Sequence, residues 1–429
     1  MQADSESESR GDSTAMTASQ KADLWLRTWC SVSAIGLIAA TYRLWFPQET
    51  QSYPLIPVFE SMVGIPILVD WLAAAGLIVG WVLFIRWVHL GAAVVLACGV
   101  FSLALDQHRI QPWHFQLLVF AGVSALAMQG DRVRWLRAFV ISIYVYSAIG
   151  KLDYEFLHTI GPQFVQQILA FFGNEVEPKA AMNLAIVLPM IELLFAVGLC
   201  LKLTRGIAAS GMFLVHVGLV AVLGPLGLNH SPGVVLWNCH FAILVILLFI
   251  RMPSGFGGEV APGKFFDRWP NWCIGAFLLP IMFLPLVERL GYWDHWPSWA
   301  LYAPHSSRTE MQVAAHRVGD LPIQLSELMP PVDEGTLWMR VPVSEWSLNA
   351  VGVPVYPQAR YQLGMALSLA KLLDSEFEVR VRMLSSASRW DGKRNETLAE
   401  GKSQLKKLAR QFWLNTVPRE LKKMGGSKE

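Results

Sequence analysis

Runs of about twenty residues carrying one charge or none recur through most of this chain before residue 290. A helix rises about 1.5 Å per residue, so a run of that length matches the ~30 Å hydrocarbon core of a bilayer. No water completes backbone hydrogen bonds there, which leaves helices and closed barrels as the spanning structures. The runs are continuous rather than alternating, and they predict helices. Nine segments qualify or nearly qualify: Leu24–Trp45, Pro66–Phe84, Trp87–Leu105, Trp113–Met128, Trp135–Gly150, Met182–Leu201, Gly206–Leu223, Val234–Ile250 and Trp272–Val287.

Composition agrees. Of 429 residues 53% are hydrophobic and only 16% charged, against about a quarter charged in soluble chains. The mean hydropathy is +0.38, and the 18 tryptophans suit a protein with membrane–water boundaries. A net charge of +2 shows no basic footprint for nucleic acid. The five cysteines form no CxxC pair and read as small apolar residues. Residues 1–22 lack an apolar core and read as a disordered polar tail. Residues 23–300 form the helical membrane domain and 301–429 a domain outside the lipid.

Basic residues set the expected orientation, because cytoplasmic loops are rich in Lys and Arg. With the N-terminus in the cytoplasm, Lys21, Arg27, Arg86, Arg132, Arg134, Arg137, Lys202, Arg205, Arg251, Lys264 and Arg268 all fall at inner ends. Arg109, Lys151 and Lys179 fall outside, with Arg43 and Arg289 near the outer ends. An odd number of crossings then makes the C-terminal domain extracytoplasmic; in a bacterium the membrane is the plasma (inner) membrane. Trp25, Trp29, Trp87, Trp135 and Trp272 read as an inner aromatic belt, and Trp45, Trp71, Trp113, Trp293, Trp296 and Trp299 as an outer one.

Tyr154–Lys179 has apolar residues at near-helical spacing and reads as a helix along the interface, one folding back into the bundle, or a surface connector. Beyond Leu301, Met311–Ala315, Leu337–Val341 and Phe377–Met383 read as strands, Tyr361–Leu373 as a helix, and Gln404–Trp413 as a basic amphipathic helix. The fold class is therefore an all-α polytopic bundle followed by a small α+β domain.

Ionisable groups within apolar spans cost about 2.5–3.5 kcal/mol each, so their presence asks for a reason. Asp70, Asp106, His108, His114, Lys151, Asp153, His230, Asn238 and His240 collect toward the outer side, with Glu192 and His216 near mid-depth. Together they predict an outward-facing polar cavity. Lys151 closes the fifth span in Tyr146-Ser-Ala-Ile-Gly-Lys-Leu-Asp and is the candidate base; a Lys that snorkels to the headgroups is the plainer alternative. Asp153 or Asp106 is expected to hold it. Glu192 follows Pro189 by about one turn and pairs in depth with His216, making these two a candidate proton relay. Asp106, His108 and His114 form a polar turn that matches no metal signature, so no metal is expected and the turn reads as a hydrogen-bonded cap on the cavity. Asn238 and His240 are two apart, so one lines the cavity while the other packs elsewhere. Gly255-Phe-Gly-Gly lacks a following Walker lysine and reads as a loop.

The run Tyr146–Asp153, closing a membrane helix before an amphipathic stretch, resembles the vitamin K-dependent γ-carboxylase-like, or HTTM, membrane proteins. The resemblance implies that Lys151 deprotonates a quinol and that the cofactor is a quinone or vitamin K-like quinol. Gly150-Lys151, then Glu192 with Gly198-Leu-Cys-Leu and Thr204-Arg205, is similar instead to the DoxX/MauE-like bundles, which are tied to quinone or redox maturation. Two functions follow as expectations. One is an enzyme-like protein binding a quinone-like ligand. The other is a non-catalytic module whose helices anchor the exported domain or support redox-protein assembly. The partners are the lipid bilayer and an exported or membrane protein.

Overall fold

The computed structural model describes residues 16–48, 52–127, 129–252, 269–331 and 335–419. Most of the polar tail, Met128, the Gly255 loop, Lys264, Arg268 and the end of the basic C-terminal segment lie outside the described residues. In chain order the bundle comprises α1 (Ala18–Ala40), α2 (Ile67–Arg86), α3 (Val88–Leu105), α4 (Pro112–Leu126), α5 (Asp131–Lys151), α6 (Ile160–Ala170), α7 (Pro178–Cys200), α8 (Arg205–Leu223), α9 (Pro232–Arg251) and α10 (Trp272–Leu290).

Seven of these among the described residues are long and apolar enough to cross a membrane: α2, α3, α5, α7, α8, α9 and α10. The chain thus has the helices of an integral membrane protein, but the expected nine is reduced to seven on this criterion. α4 has only 15 residues and is buried over most of its length, so protein surrounds it rather than lipid. α1 begins within the sequence expected to be tail. Thr17 Oγ1 accepts from Gln20 N while Gln20 Oε1 accepts from Thr17 N, a reciprocal cap that starts the helix before Lys21 and Asp23. Those polar first turns separate α1 from the seven.

At one end of the bundle Asp23 receives Arg27 at 2.9 Å and Arg132 at 2.7 Å. Nearby, Arg137 donates to the carbonyls of Leu248 and Met252 at the end of α9, both at 2.8 Å. The opposite end carries the C-terminal region: β1 (Arg308–Ala314), β2 (Trp338–Arg340), α11 (Val343–Val351), α12 (Ala359–Leu372), β3 (Val379–Leu384), β4 (Glu396–Glu400) and α13 (Lys402–Ala409). The strands form one antiparallel sheet in the order β2-β1-β3-β4, with Met311 opposite Val381 and Gln312 opposite Arg340. Alternation in β1 turns Thr309, Met311 and Val313 inward, where the sheet meets the almost wholly buried α12. The basic helix is shorter than expected, ending at Ala409 rather than Trp413.

The C-terminal region is clamped to the bundle. The connector after α1 runs between them: Val58 N donates to Ala104 O at 2.9 Å on one side, and Arg419 N donates to Leu55 O at 2.9 Å on the other. Gly364 of α12 lets it pass, since a Cβ there would come within 2.7 Å of Ile56. Packing here also corrects the expected outer tryptophan belt. Trp45, Trp113 and Trp299 are buried in the interior, whereas Trp25, Trp71, Trp87 and Trp272 are exposed.

Candidate functional site

The last turns of α5 place Tyr144, Ser147 and Lys151 on one face, because residues three, four and seven apart align on a helix. Gly150 on an adjacent face packs beside Ala300 and Ala303, where a Cβ would make ordinary contact, so close helix packing does not require the glycine. Facing Lys151 is α7. Pro189 supplies no N–H to the carbonyl four residues earlier, and the helix is interrupted just there, at Ile186, between Pro178–Ala185 and Val187–Cys200. Glu192 follows on the second part.

Lys151 Nζ donates to Glu192 Oε2 and to Ser147 Oγ, each at 2.6 Å. The Lys151 and Glu192 side chains are only 10% and 15% exposed, so this is an ion pair in the interior. A second chain of polar groups lies beside it. Tyr144 Oη is 2.9 Å from His216 Nε2, and His216 Nδ1 is 3.0 Å from Asn238 Oδ1. The Asn238 amide nitrogen donates to Val234 O at 2.9 Å, which leaves its oxygen to accept. His216 therefore carries its proton on Nδ1 and accepts the tyrosine proton at Nε2.

Both polar groups line one cavity of about 510 Å³, within the size range of small-molecule sites. Its remaining walls are apolar, with Phe156 and Phe164 from the α5–α7 connection, Leu219 of α8, Phe241 of α9, and Leu301 and Tyr302 from the segment after α10. Phe171, Phe172, Ile191 and Gly218 are lining residues that are also exposed. They place the mouth between α7 and α8, beside the end of α6, rather than under the C-terminal region.

The other candidate residues are elsewhere, which corrects the expectation that Asp106 or Asp153 holds Lys151. Asp153 caps the turn after α5 by accepting from Glu155 N at 2.9 Å, and it receives Arg289 at 2.6 Å. Asp106 accepts from the backbone nitrogens of Ile56 at 3.3 Å and His108 at 3.1 Å. His108 Nε2 meets Pro354 O at 2.8 Å. The polar turn thus caps the contact with the C-terminal region, not the cavity. His114 packs edge-on to Trp45, and His240 stacks on Trp29 with Nε2 3.4 Å from Gln116. Burial pushes the Asp106 carboxyl up to about 6 and the His108 imidazole down to about 4.

Sequence reasoning missed Tyr144 and Ser147, which stepping back from Lys151 at helical spacing would have found. It also missed the partners of Asp70, which receives Arg109 at 2.7 Å and Arg419 at 2.8 Å in full burial. Arg419 lies 349 residues away, and no local pattern links them. Comparison with protein-family models, with curated proteins and with solved structures finds no match.

Proposed function

We propose that this membrane protein binds a mostly apolar ligand with a hydroxylated, quinol-like head and accepts a proton from it at Lys151. The observation that supports this reading is the convergence of Lys151, Glu192 and His216 on one otherwise apolar cavity. An apolar wall takes the tail, and a few fixed polar groups orient the head. Within the pair Lys151 first gives a proton to Glu192 along their hydrogen bond, leaving a neutral amine and a neutral carboxylic acid; the amine then takes the ligand proton, so the pair holds one added proton afterwards. The ligand O–H bond breaks, its electron pair stays on oxygen, and the oxyanion faces the lysine cation. Tyr144 and His216 line the same cavity as a second donor and acceptor for the ligand head, with Asn238 fixing the His216 tautomer. The γ-carboxylase-like resemblance fits this chemistry, and the DoxX-like one fits the bound quinone; both are part of the proposal. The arginines at Asp23 support a cytoplasmic placement of that end under the positive-inside rule, and with it an extracytoplasmic C-terminal region.

The test uses the purified chain in detergent with a short-chain quinol. Expected are binding and a red-shifted ultraviolet band of the deprotonated ligand. Lys151→Ala is expected to abolish the shift. A parent protein that does not bind the quinol ends this reading. A second reading, a non-catalytic module, is favoured by the Asp70 clamp on the C-terminal region. It expects a C-terminal region that captures a protein partner equally well with and without Lys151.

A further inference from the structure

We infer that Glu288, His295 and His305 form a binding site for a divalent transition metal of the zinc type. The three side chains are all buried, and one ligand atom from each lies within 4.8 Å of the others. Glu288 Oε1 is 2.9 Å from His295 Nδ1, and Glu288 Oε2 is 3.1 Å from His305 Nε2. Tetrahedral ligands about 2.0–2.1 Å from zinc sit roughly 3.3 Å from one another, so small side-chain adjustments admit an ion. Two imidazoles and a carboxylate are a zinc donor set that leaves a fourth position for water. Among the described residues no arginine or lysine forms an ion pair with the Glu288 carboxylate, whose two salt-bridge partners are the histidines. Arg289 turns away to Asp153 at 2.6 Å and to the Ala387 carbonyl at 3.3 Å.

The location gives the ion something to do. Glu288 ends α10, and the two histidines bracket the segment that follows it. Within that segment Trp299 and Tyr302 hold φ of 61° and 58°, a left-handed backbone that side chains other than glycine disfavour. A metal joining both ends of the segment to α10 would add to the packing and hydrogen bonds that hold this conformation. The same segment supplies Leu301 and Tyr302 to the cavity wall. His305 O also accepts from Ala387 N at 2.9 Å, which ties the site to the chain leaving β3. The ion would join membrane helix, cavity wall and C-terminal region at one point.

The experiment uses the full chain in detergent, without an affinity tag, stripped with a chelator and titrated with Co²⁺ and then Zn²⁺. Expected is one Co²⁺ per chain with visible absorption of low-symmetry nitrogen–oxygen coordination, bleached by Zn²⁺. Zn²⁺ is also expected to raise the melting temperature of the stripped parent. His295→Gln combined with His305→Gln should remove both effects while the protein elutes as the parent does. Should the variant fail to fold, the parent alone decides. A parent with neither cobalt absorption nor a zinc-dependent melting shift leaves a hydrogen-bonded triad only and overturns the site. Cobalt absorption that survives in a folded double variant overturns it as well.

Discussion

Lys151 and Glu192 share one hydrogen bond in a setting where either charge alone is costly. Removing one member of a buried pair leaves the other unpaired, at about 3–5 kcal/mol. Lys151→Ala is accordingly expected to lower stability in denaturant titrations by that order. Replacing both, Lys151→Met with Glu192→Leu, should restore most of the stability and still abolish quinol deprotonation, which separates folding from chemistry. The pairing was not legible, since the depth of Glu192 in its helix pointed to His216, whose hydrogen bonds go to Tyr144 and Asn238 instead; only the common level of the polar groups was readable. What hid was direction. Lys151 has carboxylates both near in sequence and across the bundle, and the near one, Asp153, already serves its own helix cap and Arg289.

Among the elements, α6 and the break in α7 shape the cavity. Gly161 lies where they meet; a Cβ there would come within 2.8 Å of Ala185 Cβ and 2.9 Å of Phe156 O. Gly161→Val should cost about 1–3 kcal/mol by overpacking and speed amide exchange across α6. Gly206 in α8 has nothing within 4 Å of the corresponding position, so Gly206→Ala should leave stability unchanged or slightly raised. Apolar helices were readable because lipid demands long uninterrupted runs. β4 was not, because only Ala399 of its five residues is buried and no alternation shows. α11 was not, because it is short and lies between Pro342 and Gly352 in a stretch that reads as loop.

For the whole molecule, the union of bundle and C-terminal region is the feature that sequence spacing concealed. Asp70 holds arginines from both, so Asp70→Asn should cost about 3–5 kcal/mol and expose the C-terminal region to limited proteolysis. Two neighbouring groups at the same junction titrate in opposition. The His108 pKa, depressed to about 4, gives stability that is lost as pH falls from its ordinary range toward 4. The Asp106 pKa, raised to about 6, gives stability that is present at low pH and lost as pH rises through 6. Between these limits the two slopes offset each other, so this pair adds little net pH dependence to the stability of the junction. Asp106→Asn should uncover the histidine slope and make the protein melt earlier as pH falls from about 6.5 to 4. The position of the cavity mouth, on the flank of the bundle rather than at its capped end, bears on how a ligand is counted. A compound reaching Lys151 by that route is drawn from a two-dimensional reservoir. Occupancy should follow its mole fraction among the surrounding amphiphiles, so adding empty vesicles at fixed total ligand should empty the site even though the volume of water has not changed.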